Sequence, residues 1–110
     1  MTGLSIHAVD VAAGRPAEGL RVKVFRLASE PHLVAEGTLG LSGALDHPIV
    51  RSTMEAGLYE VEFHIGAYLG TGNGGFLDVA PVRFRITHPG QHYHLPLKFT
   101  AWGYSVFRGS

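Results

Sequence analysis

Leu58-Tyr59-Glu60-Val61-Glu62-Phe63-His64-Ile65 alternates apolar and polar side chains at every step. Tyr59, Val61, Phe63 and Ile65 fall on one face, and Glu60, Glu62 and His64 on the other. A period of two belongs to a strand with one face on a core and one toward water. The same period recurs on both sides of this segment. Leu20 to Leu27 sets Leu20, Val22 and Val24 against Arg21 and Lys23. Val82 to Thr87 sets Val82, Phe84 and Ile86 against Arg83, Arg85 and Thr87. Gln91 to Phe99 turns Tyr93, Leu95, Leu97 and Phe99 inward and His92, His94 and Lys98 outward. Leu4 to Asp10 alternates more weakly, with Leu4, Ile6 and Ala8 opposite Ser5, His7 and Val9. The tail, from Ala101 to Ser110, alternates Trp102, Tyr104 and Val106 with small residues, as a strand running almost to the last residue.

Turn formers separate these runs. Ala13 to Glu18 and Gly19 form a turn-rich connection. Ser29-Glu30-Pro31 turns the chain into a hairpin partner, His32 to Thr38. Leu39 to Pro48 is expected to be a loop or short edge strand, because Gly40, Gly43 and Pro48 suit no central strand. Gly70 to Gly75 is too glycine-rich to hold a helix, so at most one short helical turn fits, around Ala67 to Leu69. His88-Pro89-Gly90 is a further turn. Seven to eight short strands without an amphipathic helix of useful length predict an all-β fold, a two-sheet antiparallel β-sandwich. The length of 110 residues fits a single domain, 1–110.

Composition narrows the function. The chain has no cysteine, which excludes disulfides and thiolate chemistry. Nine basic and nine acidic residues balance, and no basic stripe suggests nucleic acid. No apolar run is long enough to cross a membrane, and the start lacks the basic and apolar regions of a secretory signal. A cytoplasmic protein without nucleic-acid or membrane partners is expected. No Gly-x-Ser-x-Gly elbow occurs, and Gly70 to Gly75 lacks the Lys-Ser/Thr of a phosphate loop.

Histidine carries the remaining chemistry. His92 and His94 share the polar face of one strand, and His7 lies on the polar face of another. Three imidazoles fit general acid–base work, ordinary hydrogen bonding at a surface, or a metal site; spacing alone does not choose among them. No third ligand stands at recognisable metal spacing, so no metal and no cofactor are expected. Asp46, His47 and Arg51 lie in or beside a loop with nothing to fix their geometry.

The segments Leu4 to Asp10, Gly14-Arg15-Pro16-Ala17, Gly57-Leu58-Tyr59, Phe63 to Gly66, Phe76 to Phe84, His92 to Leu97, Trp102 to Ser105 and Arg108-Gly109-Ser110, in that order, resemble the transthyretin-related 5-hydroxyisourate hydrolases. The resemblance spans nearly the whole chain. It implies an eight-stranded sandwich assembled as a homotetramer, a dimer of dimers, with active sites in the channel between dimers. The implied reaction hydrolyses a cyclic amide of 5-hydroxyisourate in urate degradation. By position, it implies that His7, His94 and Ser110 are catalytic and that Arg108, His92, Ala44 and Phe107 face the substrate. It also implies that the first and seventh strands are neighbours.

The chain departs from the family pattern at two of these positions. The family's arginine in an Asp-Gly-Arg segment is matched by Ala44 of Ser42-Gly43-Ala44, in a loop one residue longer. The tyrosine of the family's Tyr-Arg-Gly-Ser end is Phe107. An arginine supplies a fork of donors and a tyrosine one hydroxyl, so both changes remove polar contacts with a substrate oxygen. Ile6, Ala67 and the shortened glycine-rich loop depart as well. Arg51 or Arg108 are candidates for the missing charge. Two further functions fit these changes: a paralogue acting on another cyclic amide or purine-like substrate, and a non-catalytic transthyretin-like small-ligand-binding protein.

Overall fold

The computed structural model describes residues 2–70 and 75–109. Eight strands follow in order: β1 (Leu4–Asp10), β2 (Arg15–Pro16), β3 (Arg21–Leu27), β4 (Pro31–Thr38), β5 (Gly57–His64), β6 (Val79–Ile86), β7 (Tyr93–Phe99) and β8 (Tyr104–Val106). They form two four-stranded sheets, ordered β2-β1-β7-β8 and β4-β3-β5-β6. Every pair is antiparallel except β1 with β7, which runs parallel. The sandwich is therefore the expected one, with one parallel seam in its first sheet. That seam is long-range, because the two partners lie at opposite ends of the sequence.

The alternation sets the layers. Tyr59, Val61, Phe63 and Ile65 are all buried, as are Leu20, Val22, Val24, Leu4, Ile6, Ala8, Leu95, Leu97 and Phe99. These side chains meet in one hydrophobic cluster between the sheets. The opposite faces carry the polar and charged side chains. The parity of each strand thus decides which residues are packing and which are free for chemistry.

Several boundaries differ from the expected ones. The short strand β2 falls inside the stretch taken as a turn, because Arg15 and Pro16 pair with Asp10 and Val9 after a tight reversal at Gly14. Strand β6 starts three residues before Val82 and runs through Pro81, which an edge strand tolerates since one side of it needs no N–H. The tail pairs for only three residues. Trp102 lies before it, exposed and with its ring centroid 5.8 Å from that of Phe76. After β8 the chain returns to the sheet at one bridge, Gly109 to His94. The helical turn after β5 is α1 (Ile65–Leu69), ended by Gly70 at φ 75°. A second, 3-10 turn at Pro48–Val50 is started by His47, whose Nδ1 accepts from the Ile49 N–H at 3.0 Å. His47 is therefore a cap. Most of the glycine-rich run, 71–74, lies outside the described residues, as does Ser110.

Candidate active site

The parallel register of β1 and β7 builds the site. Ser5 stands opposite His94, and His7 opposite Pro96. Residues at the same parity point to the same side of a sheet. Ser5 and His7 of β1 and His92 and His94 at β7 therefore share the outer face of the first sheet. Ser5 lies directly across from His94, and His7 sits one diagonal step away. The face lies opposite the core, so its imidazoles are half-buried.

Hydrogen bonds fix three of the rings. His7 Nε2 lies 2.9 Å from the carbonyl oxygen of Ser42 and donates to it. Ser5 Oγ lies 2.6 Å from His94 Nδ1 and 2.8 Å from His92 Nε2. His92 Nδ1 lies 2.8 Å from the carbonyl oxygen of Thr2. Both nitrogens of His92 are thus engaged by the protein, which leaves no ring donor for a substrate. His92, expected to face the substrate, lies on the same outer face with its two ring nitrogens held by Ser5 and Thr2. Burial first, then the neighbouring His7 and His92, push His94 below the ordinary histidine range, and hydrogen bonding at Ser5 opposes them. At neutral pH His94 is the free imidazole, the form that accepts a proton.

Two glycines let backbone reach these rings. A Cβ on Gly109 would stand 2.5 Å from His94 Cδ2, so only glycine lets the tail lie on that ring. Gly43 has φ +81°, and a Cβ there would stand 2.7 Å from the Ala8 carbonyl oxygen and 3.2 Å from His7 Nε2. It brings the loop 42–44 against β1, where Ala44 forms an antiparallel bridge with His7. Ala44, expected from the resemblance to stand at the family's arginine position, thus presents a methyl group on the histidine face.

The tail splits its residues between two faces. The bridge of Gly109 to His94 continues the register of β8 with β7, which sets Phe107 level with Pro96 and Arg108 level with Leu95. Phe107 follows the outer face, exposed, with Lys98 Nζ 6.0 Å from its ring centre. Arg108 follows the other parity. Its guanidinium lies 3.9 Å from the centre of the Tyr93 ring and donates to Gln91 Oε1 at 3.0 Å and to the His92 carbonyl at 3.3 Å. Arg108 is therefore placed away from the imidazole face. Arg51 lies exposed just after the 3-10 turn. Lys98, on β7 and exposed, is a cation on the same face as His94.

Sequence reasoning passed over Ser5. Its signal was the parity it shares with His7, but that meant nothing until the β1·β7 register was known. Among the described residues, no group of three or more His, Cys, Asp or Glu side chains is arranged to hold a metal ion. A cavity of about 480 Å³ lies at another part of the sandwich, lined by residues including Arg26, His32, His47 and Tyr59, and contains none of the clustered residues.

The family model described as Transthyretin: HIUase/Transthyretin family matches residues 4–109. The 5-hydroxyisourate hydrolase of Deinococcus radiodurans is 37% identical over 114 residues, covering 98% of this chain and 96% of that protein. The solved 5-hydroxyisourate hydrolase of Klebsiella pneumoniae superposes with a TM-score of 0.83 at 28% identity, each chain covered in full. A crystal structure of (S)-allantoin synthase matches with a TM-score of 0.86 at 33% identity; this chain spans 44% of its length. The chain belongs to the HIUase/Transthyretin family.

Proposed function

We propose that this chain is a 5-hydroxyisourate hydrolase acting in urate degradation. Its family, and the activity named for full-length relatives at over a third identity, support that reading. The observation that carries it is local: the β1·β7 register places His7 diagonally beside His94, with Gly109 of the tail on the His94 ring. The proposed chemistry is hydrolysis of a cyclic amide. His94 takes a proton from water as the water oxygen attacks the carbonyl carbon. The carbonyl becomes a tetrahedral oxyanion, held by His7, once its Nε2–H turns from the Ser42 carbonyl to the substrate, together with the end of the tail, Ser110 among its candidates. Collapse breaks the C–N bond, and the proton on His94 passes to the leaving nitrogen. The ring opens to a carboxylic acid and an N–H, with one water consumed.

A homotetramer fits this site. The histidine face is an open sheet surface, and a second dimer laid on it would form a channel that shields the site from bulk solvent while admitting the attacking water. The outer edges β6 and β8 are free to pair with a second copy, which would build the dimer. A cytoplasmic location is part of the same proposal.

A second reading has its own support. Ala44 and Phe107 put a methyl and a phenyl where the family pattern has an arginine and a tyrosine, and a paralogue for a different cyclic amide would need such changes. One assay covers both. Freshly generated 5-hydroxyisourate is followed by its ultraviolet absorbance with and without the protein, beside a panel of other cyclic amides. Decay well above the spontaneous rate supports the hydrolase. Turnover only of another ring supports the paralogue, and turnover of none defeats both.

A further inference from the structure

We infer that Thr2, His92 and Ser5 form a hydrogen-bonded relay that holds His94 in the tautomer whose Nε2 is the free base. The inference rests on the hydrolase reading for its kinetic consequence and on geometry alone for its direction. Start at the end that has no choice. The Thr2 carbonyl oxygen only accepts, so His92 Nδ1, at 2.8 Å, carries the proton. A neutral His92 then has its lone pair on Nε2, which accepts the Ser5 hydroxyl proton at 2.8 Å. Ser5 has one proton, now spent, so its oxygen receives a hydrogen bond from His94 Nδ1 at 2.6 Å. His94 Nδ1 carries the proton, and the lone pair of His94 is on Nε2.

Each link has a positional cause. Ser5 sits opposite His94 in the β1·β7 ladder, so its short side chain reaches Nδ1 without crossing the ring. His92 lies two residues earlier, on the same face, and Thr2 just precedes β1. A carbonyl of the main chain thus dictates the protonation of a side chain three hydrogen bonds away. Ser5 and His92 are positioning residues: Ser5 bonds His94, His92 orients Ser5, and His94 acts on water. The relay also separates the two site histidines. His7 is tied at Nε2 to the Ser42 carbonyl, outside the relay, while His94 is set in advance as the base. The lowered proton affinity of His94 keeps it neutral, the state in which a tautomer can be chosen at all.

The test is a tautomer measurement on the full chain, labelled with 15N at histidine, by long-range proton–nitrogen correlation above the His94 titration. The expected result is a protonated Nδ1 and an unprotonated Nε2 for His94, and the same for His92. Ser5→Ala should shift His94 toward the Nε2–H form and lower kcat on 5-hydroxyisourate at least tenfold with KM within about twofold. Ser5→Thr, which keeps the hydroxyl, should restore both. His92→Phe removes the acceptor that orients Ser5 and should move His94 in the same direction. Should Ser5→Ala fail to fold, the native spectrum and His92→Phe decide. Nε2–H on His94 in the native protein overturns the relay. So does a tautomer unmoved in both variants, or a moved tautomer with unchanged kcat. The native tautomer is read without substrate, so the relay can hold while the hydrolase assay fails, and the two failures are told apart.

Discussion

Restoring the two donors of the family pattern should speed the hydrolysis. The perturbation is Ala44→Arg together with Phe107→Tyr. Ala44 forms an antiparallel bridge with His7, and opposed residues share a face with Cβ atoms about 4.5–5.5 Å apart. A guanidinium at 44 therefore projects onto the histidine face rather than into the core. Phe107 is level with Pro96, two residues along β7 from His94, a rise of about 6.6 Å. A hydroxyl on that ring faces the same side. A well-placed oxyanion donor contributes about 2.7–4 kcal/mol, a hundredfold or more. Both new groups stand on an open, half-exposed surface, and the longer loop shifts the guanidinium, so a smaller gain is expected. We predict at least a tenfold rise in kcat/KM, about 1.4 kcal/mol of barrier. Stability should change by less than about 0.5 kcal/mol, since neither site is packed. The assay is the ultraviolet decay of 5-hydroxyisourate, with thermal melts of both proteins. A folded double variant with no gain refutes the claim that these two positions face the reacting oxygen. Lys98→Met in the native background then asks whether Lys98 already supplies that charge, with loss of turnover as the positive answer.

Other consequences are as direct. The acid limb of kcat/KM should fall below the ordinary histidine value of about 6.5, because the His94 proton is bound more weakly in the folded chain. The sign for stability follows: a lowered histidine pKa costs nothing above the unfolded value, and the loss grows as pH falls from there toward the folded value, seen as a falling Tm. Gly43→Ala forces a side chain into φ +81° and against the Ala8 carbonyl; a loss of at least about 1 kcal/mol in denaturant melts and a larger loss of turnover are expected. Gly109→Ala should lower turnover at least about tenfold with little change in Tm, because it lifts the tail from His94 while the core is untouched. Light scattering should give about four times the monomer mass, and a stable monomer with full activity would remove the shared channel from the proposal.

The layers of this fold were legible in the sequence because burial follows a period of two. Tyr59, Val61, Phe63 and Ile65 could be assigned to the core from spacing alone, and so could Tyr93, Leu95, Leu97 and Phe99. Pairing was not legible that way. Nothing local in Leu4–Asp10 says that it runs parallel to Tyr93–Phe99, since the contact closes almost the whole chain into a loop. The family resemblance supplied the adjacency of His7 and His94; the structure added their register. Ser5 became visible only through that register. The place of Arg108 was hidden for a related reason: it depends on one bridge, Gly109 to His94, which sets the parity of the tail and turns the guanidinium onto Tyr93. The cap at His47 and the strand β2 are short-range features that turn formers had masked.

The most direct test of the central claim compares three proteins on one substrate: the native chain, His7→Asn and His94→Asn, each with freshly made 5-hydroxyisourate. Both histidines lie on the polar face, half-buried and outside the core cluster, so each variant should melt within a few degrees of the native protein. The native chain should consume the substrate far faster than its spontaneous decay, and each variant should lose most of that excess. Native turnover that survives either substitution in a folded protein contradicts the account.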